Sequence, residues 1–148
     1  MDSNLKEQLI EACLLQQQKI AEEKEKAANE LQEQINAYGQ NKDRYDSFRT
    51  KLTRSKEQLQ LQQLQAMNTL KALYQIPKES RQKVEYGAIV VTDKQRFFIA
   101  VGMGKITCAE KDYFVISAAA PIFAVMQGKK VNDEFTFNKV KHKITAIL

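Results

Sequence analysis

The stretch Tyr38-Gly39-Gln40-Asn41-Lys42-Asp43 decides how the first half of this chain folds. Long runs rich in Gln, Glu, Lys, Leu and Ala lie on either side of it. Within it stand a glycine able to end one helix and an aspartate able to cap the next. Upstream, Leu5, Leu9, Ala12, Gln16, Ile20, Ala27, Leu31, Ile35 and Tyr38 recur mostly at spacings of three, four or seven. Downstream, Phe48, Leu52, Ser55, Leu59, Gln62, Ala66, Leu70 and Leu73 alternate between spacings of four and three almost throughout, close to a coiled-coil seam. Two helices of similar length joined by a short turn predict an antiparallel hairpin with its tip near residues 39–46. Arms of about 33 residues would be roughly 50 Å long, more than the burial of a small core requires. Gln16 and Gln62 are expected to face each other in the seam, where polar residues fix register.

Charge supports this pairing. Residues 1–40 carry 4 basic and 8 acidic side chains, whereas 41–77 carry 7 basic and 3 acidic. An acidic first helix and a basic second helix favour lying against each other. The net charge of +5 comes entirely from residues 78–148, with 12 Lys/Arg against 7 Asp/Glu. No stretch approaches the roughly 18–20 uninterrupted apolar residues that span a bilayer, and the first residues lack the pattern of a signal peptide. A cytoplasmic protein without membrane contact is therefore expected. Cys13 and Cys108 lie far apart and are read as two small buried thiols. His142 is the only histidine, which with only two cysteines excludes histidine-based zinc motifs.

Composition changes near Ile76-Pro77. Beyond it Val, Ile, Phe and Tyr occur in short runs punctuated by Gly87, Gly102, Gly104 and Gly128. Strands are predicted at about 87–92, 96–101, 113–117, 134–137 and 143–147. Residues 118–127 suit a short helix with Pro121 in its first turn and Gly128 as its C′ residue. The chain is thus read as α+β: a helical hairpin over 1–77, then a β-rich globular domain with one short helix over 78–148. The apolar strand residues, Phe98, Val115 and Phe135 among them, are read as core.

The run Ile116-Ser117-Ala118-Ala119-Ala120-Pro121-Ile122-Phe123, continuing through Gly128-Lys129-Lys130 to Asp133, resembles the C-terminal domain of the Gre family of bacterial transcript-cleavage factors. There a strand leads into Ser-Pro-Ile/Leu-Gly/Ala, a short helix, Gly-Lys, an acidic residue and two final strands. The order of parts is also similar: a coiled-coil hairpin, then a domain of FKBP-like fold. Close residue matches occupy about the last 35 positions. Ala120 stands where the family usually has the serine that caps the short helix, and Phe123 replaces its small residue.

The family carries Asp-x-x-Glu at the hairpin tip, and here Asp43-Arg44-Tyr45-Asp46 has the same spacing with Asp in place of Glu. Acidic residues at a helix start also have a purely structural use as caps. Residues three apart on an opening turn share a face, so both carboxylates can approach one cation. The resemblance implies that Asp43 and Asp46, delivered through the secondary channel of RNA polymerase, help hold a second Mg²⁺ beside the polymerase's own metal and promote cleavage of backtracked RNA. The protein would then be no enzyme itself but a monomeric activator of its partner. Arg44 and Arg49, in the basic run after the tip, are assigned to the RNA 3′ segment, whose phosphates attract cations without sequence preference. Three other readings stand beside this one. Asp46 is one methylene shorter than the family's glutamate, which suits a non-cleaving occupant of the same channel. A coiled-coil adaptor without a polymerase role is another. Prolyl isomerase activity is the third, raised by the FKBP-like fold, although no aromatic-lined pocket is evident in the sequence.

Overall fold

A computed structural model describes residues 2–39 and 47–148. Helix α1 spans Asp2–Tyr38 and helix α2 spans Ser47–Tyr74; strands β1 (Ile89–Thr92), β2 (Arg96–Ala100), β3 (Gly104–Cys108) and β4 (Lys111–Ser117) precede helix α3 (Pro121–Met126), and β5 (Glu134–Phe137) and β6 (Val140–Ile147) close the chain. A long helical pair followed by a six-stranded mixed sheet and one short helix makes the protein α+β. Two compact units emerge, one formed by Leu15–Lys71 and the other by Met1–Leu14 together with Ala72–Leu148.

In the first unit the two helices run antiparallel. Gln17 Nε2 donates to the Ala66 carbonyl at 3.3 Å, while the rings of Tyr38 and Phe48 lie 5.1 Å apart. Ala21, Ala28, Ile35 and Ala66 are buried, and the small side chains let the backbones approach closely. Along the middle of α1 the most buried positions fall one residue later than periodicity suggested: Gln17, Ala21 and Ala28 are buried, Ile20 and Ala27 are half-buried, and Leu9 and Ile35 are buried as expected. Gln16 is exposed, so the expected Gln16–Gln62 pair does not form. A glutamine meeting a backbone carbonyl still supplies a single buried polar contact within the pair.

The second unit is built on the sheet, ordered β3-β4-β2-β1-β6-β5. The β2–β4 pair is parallel and every other pair is antiparallel. Each face of the sheet has its own cover, because side chains alternate along a strand. One face presents Ile89, Phe98, Ile106 and Val115 to Leu9, Ile10, Cys13, Leu73 and Ile76 from the helix bases. The other presents Val90, Phe97, Ile99 and Ile144 to Phe123 and Met126 of α3 and to Val84.

Strand β3 was not foreseen. Gly104-Lys105-Ile106-Thr107-Cys108 buries only Ile106 and Cys108, and the flanking glycines resemble loop punctuation. Its alternation of exposed and buried residues is the signal that marks it as an edge strand. Two tight hairpin turns join strands here. Ala109 and Glu110 (φ 52 and 65) link β3 to β4, and Asn138 and Lys139 (φ 52 and 66) link β5 to β6. Both central residues at positive φ is the type I′ requirement, which the right-handed twist of paired strands selects. Helix α3 starts at Pro121 with no side-chain hydrogen bond from its N-cap Ala120, and Gly128 follows its C-cap at φ +78.

Candidate functional site

Helix α1 ends where the sequence places its stop. The Gly39 N–H donates to the Ile35 carbonyl at 3.1 Å, and Gly39 adopts φ +87. This is an αL cap, which leaves the last carbonyls of the helix in need of donors. Just past the helix end, Arg49 Nε donates to the Gly39 carbonyl at 2.8 Å. The tilted Tyr38–Phe48 ring pair, 57° between planes, adds an apolar clasp beside it. The chain thus leaves Gly39 and re-enters at Ser47 through two points tied to each other by a hydrogen bond and a ring contact.

Between those points lie residues 40–46. Asp43, Arg44 and Asp46, the tip residues assigned to metal and RNA, fall outside the described residues, and only their anchorage can be stated. Arg49 is described, and it has a role within the chain: its hydrogen bond to the Gly39 carbonyl ties the start of α2 to the residue that follows α1. Its placement in the basic run gave no hint of this. A glycine C′ residue followed ten positions later by an arginine on the returning helix is the pattern that could have shown it. Phe48, read as a seam residue, is 55% exposed and holds its place by the ring contact with Tyr38.

The sheet unit contributes a second feature. The six-residue α3 is too short to cover its face of the sheet, and a groove of about 400 Å³ opens beside it. Phe97, Phe114, Phe137, Ile122, Val140 and His142 line it, with Lys94 and Asn138 also at its wall. An aromatic-lined groove therefore exists where the sequence showed none. His142 is 4% exposed, stacked on Phe135 at 4.9 Å and edge-on to Phe97 at 6.2 Å. Burial holds its pKa below the usual histidine value, with nearby Asp93 opposing that shift and Lys94 adding to it. Burial thus favours the neutral imidazole, whose Nδ1 lies 3.4 Å from Thr92 Oγ1. His142 lay outside the strand expected at 143–147, which in fact begins at Val140, so neither its inward place nor the groove was foreseen.

A buried lysine also has a structural partner. Lys6, 1% exposed, donates to the Glu79 carbonyl, and burial followed by the nearby Arg81 charge lowers its pKa. Burial, with a smaller contribution from Cys108, pushes the Cys13 thiol up to about 12, and burial raises Cys108 as well. Such thiols are poor nucleophiles, since the thiolate is the reactive form. Both cysteines are free. Among the described residues no group of three or more His, Cys, Asp or Glu is placed to hold a metal ion, and no helix is long and apolar enough to cross a membrane.

Compared with known proteins, the chain matches no family model, no curated sequence and no solved structure.

Proposed function

We propose that this protein is a secondary-channel factor of bacterial RNA polymerase that presents an acidic hairpin tip to the polymerase active site and stimulates its cleavage of backtracked RNA. The observation that carries this reading is the clasp at the far end of the helical pair. Tyr38, Gly39, Phe48 and Arg49 fix both entrances of a seven-residue connection containing Asp43 and Asp46. A pair of carboxylates on a connection anchored at both ends, between helices of 37 and 28 residues, is suited to presenting charge to a partner.

The donor set fits Mg²⁺, a hard cation that takes one or two carboxylates and keeps several waters. Asp43 and Asp46 would hold it from the protein side, and the remaining shell would come from water and the partner. When bound, the ion supplies charge stabilisation and a more acidic water for phosphodiester hydrolysis. The work of this chain is positional: Arg49 and the Tyr38–Phe48 clasp limit where the two carboxylates can go. Misplacement by about 1 Å can cost roughly 10²-fold in rate, so the anchorage matters as much as the charges. Arg44 contacts the phosphates of the RNA 3′ segment in this reading, and Arg49 joins it only as far as its cap on Gly39 allows. The sheet unit docks through the groove beside α3, where the aromatic side chains Phe114 and Phe137 are available to an apolar side chain of the polymerase.

One observation favours a second reading, a non-cleaving regulator in the same channel. Asp46 is a methylene shorter than the glutamate of the family it resembles, drawing its oxygens back from the metal. RNA cleavage in a stalled, backtracked polymerase complex separates the two. Stimulation by the wild type that Asp43→Asn/Asp46→Asn abolishes is the expected result. Equal stimulation by both removes the metal pair, and tight polymerase binding without cleavage by either selects the regulator. Failure to bind polymerase at all leaves the coiled-coil adaptor in place of both.

A further inference from the structure

Helix α2 carries a second seam, on the side that faces away from α1. With Ala66 pointing inward, the 100° step between residues puts Glu57, Leu61, Leu64, Asn68 and Lys71 on the opposite side. All five are exposed, at spacings of four, three, four and three. Leu61 is 56% exposed, Leu64 57% and Met67, beside them, 45%. These three large apolar residues lie in Gln58–Leu70, thirteen residues without a single charge, five of them glutamine, in a chain that is 28% charged. Depletion of charge around exposed apolar residues is the compositional mark of an interface core. A two-helix hairpin needs only one seam.

We propose that this outer face of α2 pairs with the same face of a second copy of the chain, antiparallel, about a two-fold axis at Leu64. The charges at the ends of the neutral stretch argue for this occupant. Glu57 and Lys71 each lie seven residues from Leu64 and bracket the stretch on the same face. Antiparallel overlay brings Glu57 of each copy toward Lys71 of the other. A parallel overlay would set Glu57 on Glu57 and Lys71 on Lys71. Glutamine amides both donate and accept, so the intervening Gln side chains complement themselves under a two-fold, as an isologous interface demands. The two Leu64 side chains meet near the axis, with Leu61 and Met67 to either side. The patch is small against the roughly 1,000 Å² that a stable interface buries, so association is weak and concentration-dependent. It revises the monomer expected from sequence. Any partner that needs the outer face of α2 competes with it.

Sedimentation velocity on the full chain tests this over about 5 to 500 µM, with circular dichroism confirming that each variant stays helical. Wild type should move from monomer to dimer, and Leu61→Gln/Leu64→Gln should remain monomeric. Lys71→Glu should weaken association about fivefold, and Glu57→Lys/Lys71→Glu should restore it at low salt. A wild type that is monomeric throughout overturns the proposal, as does undiminished association of the leucine variant. A charge-swapped double variant no better than Lys71→Glu alone would refute the antiparallel pairing.

Discussion

Replacing Gly39 tests the anchorage of the hairpin tip at its most sensitive atom. Gly39 adopts φ +87, and a Cβ added there would meet nothing within 4 Å. Any cost is therefore confined to the backbone and not confused with a clash. A residue with a Cβ in the left-handed region is disfavoured by about 1–2 kcal/mol, with Asn the mildest exception because its side chain bonds locally. A rigid replacement also narrows the unfolded ensemble, but that gain is outweighed where the native φ is incompatible. Gly39→Asn should lose a few tenths of a kcal/mol, Gly39→Ala about 1 and Gly39→Val about 2. For a chain of this size 1 kcal/mol corresponds to about 2–4 °C in Tm, so the series is resolvable by urea and thermal melts followed at 222 nm. Under the proposed function the same order should hold for RNA cleavage, because the Gly39 carbonyl that Arg49 holds moves with the backbone. Arg49→Met should lower cleavage in the same direction while leaving the sheet unit's amide protection from exchange unchanged. A Val variant as stable as the Asn variant would show that the left-handed cap is not formed, and the account of the tip would fall with it.

Three further outcomes concern stability. Ala109→Asn/Glu110→Gly, which gives the β3–β4 turn the residues a type I′ geometry prefers, should raise stability by about 1 kcal/mol, measured by urea titration; a loss of stability would mean the turn is not I′. His142 has its native pKa depressed by burial, so its contribution to stability is present above the unfolded histidine value and is lost as pH falls through that value toward the native one. A His142→Phe variant should flatten this acid limb in melts between about pH 7 and pH 5, and an unchanged limb assigns it to carboxylates instead. Phe98→Ala, at a fully buried position, should cost about 3–5 kcal/mol, whereas Phe48→Ala, half out in solvent, should cost only about 0.5–1.5 through the lost ring contact.

The helical pair was legible because its signal is repeated along some seventy residues, and each turn of helix restates the period. What periodicity could not fix was phase. Ile20 is larger and more apolar than Ala21, so composition alone put Ile20 in the seam, yet close approach of two helix backbones selects the smaller residue. The same reasoning explains Gln17, whose amide reaches the Ala66 carbonyl where Gln16 cannot. In the second half, strands with two or more large apolar residues were visible, and β3, with Ile106 and Cys108 alone, was hidden by its glycines. The groove was hidden for a different reason. Phe97 on β2, Phe114 on β4 and His142 on β6 are brought together by the order β4-β2-β1-β6, which places distant segments side by side.

That hidden topology bears on how the two units divide the work. The hairpin's candidate chemistry is local in sequence: a glycine stop, a carboxylate pair and an arginine that returns to the stop, all within eleven residues. It can diverge without disturbing the sheet unit, because among the described residues of this stretch none belongs to either core cluster. The groove is the opposite case. Phe97 belongs at once to the groove and to the core beneath α3, so a substitution there changes packing and recognition together. Phe114 and Phe137 are half-buried, and although Phe114 also packs on the core and on Phe97, they are the groove positions whose replacement disturbs packing least. Under the proposed function, Phe114→Ser/Phe137→Ser should weaken polymerase binding in a pull-down while shifting the Tm less than Phe98→Ala does. Unchanged binding by that variant would move the docking surface away from the groove without touching the argument for the tip.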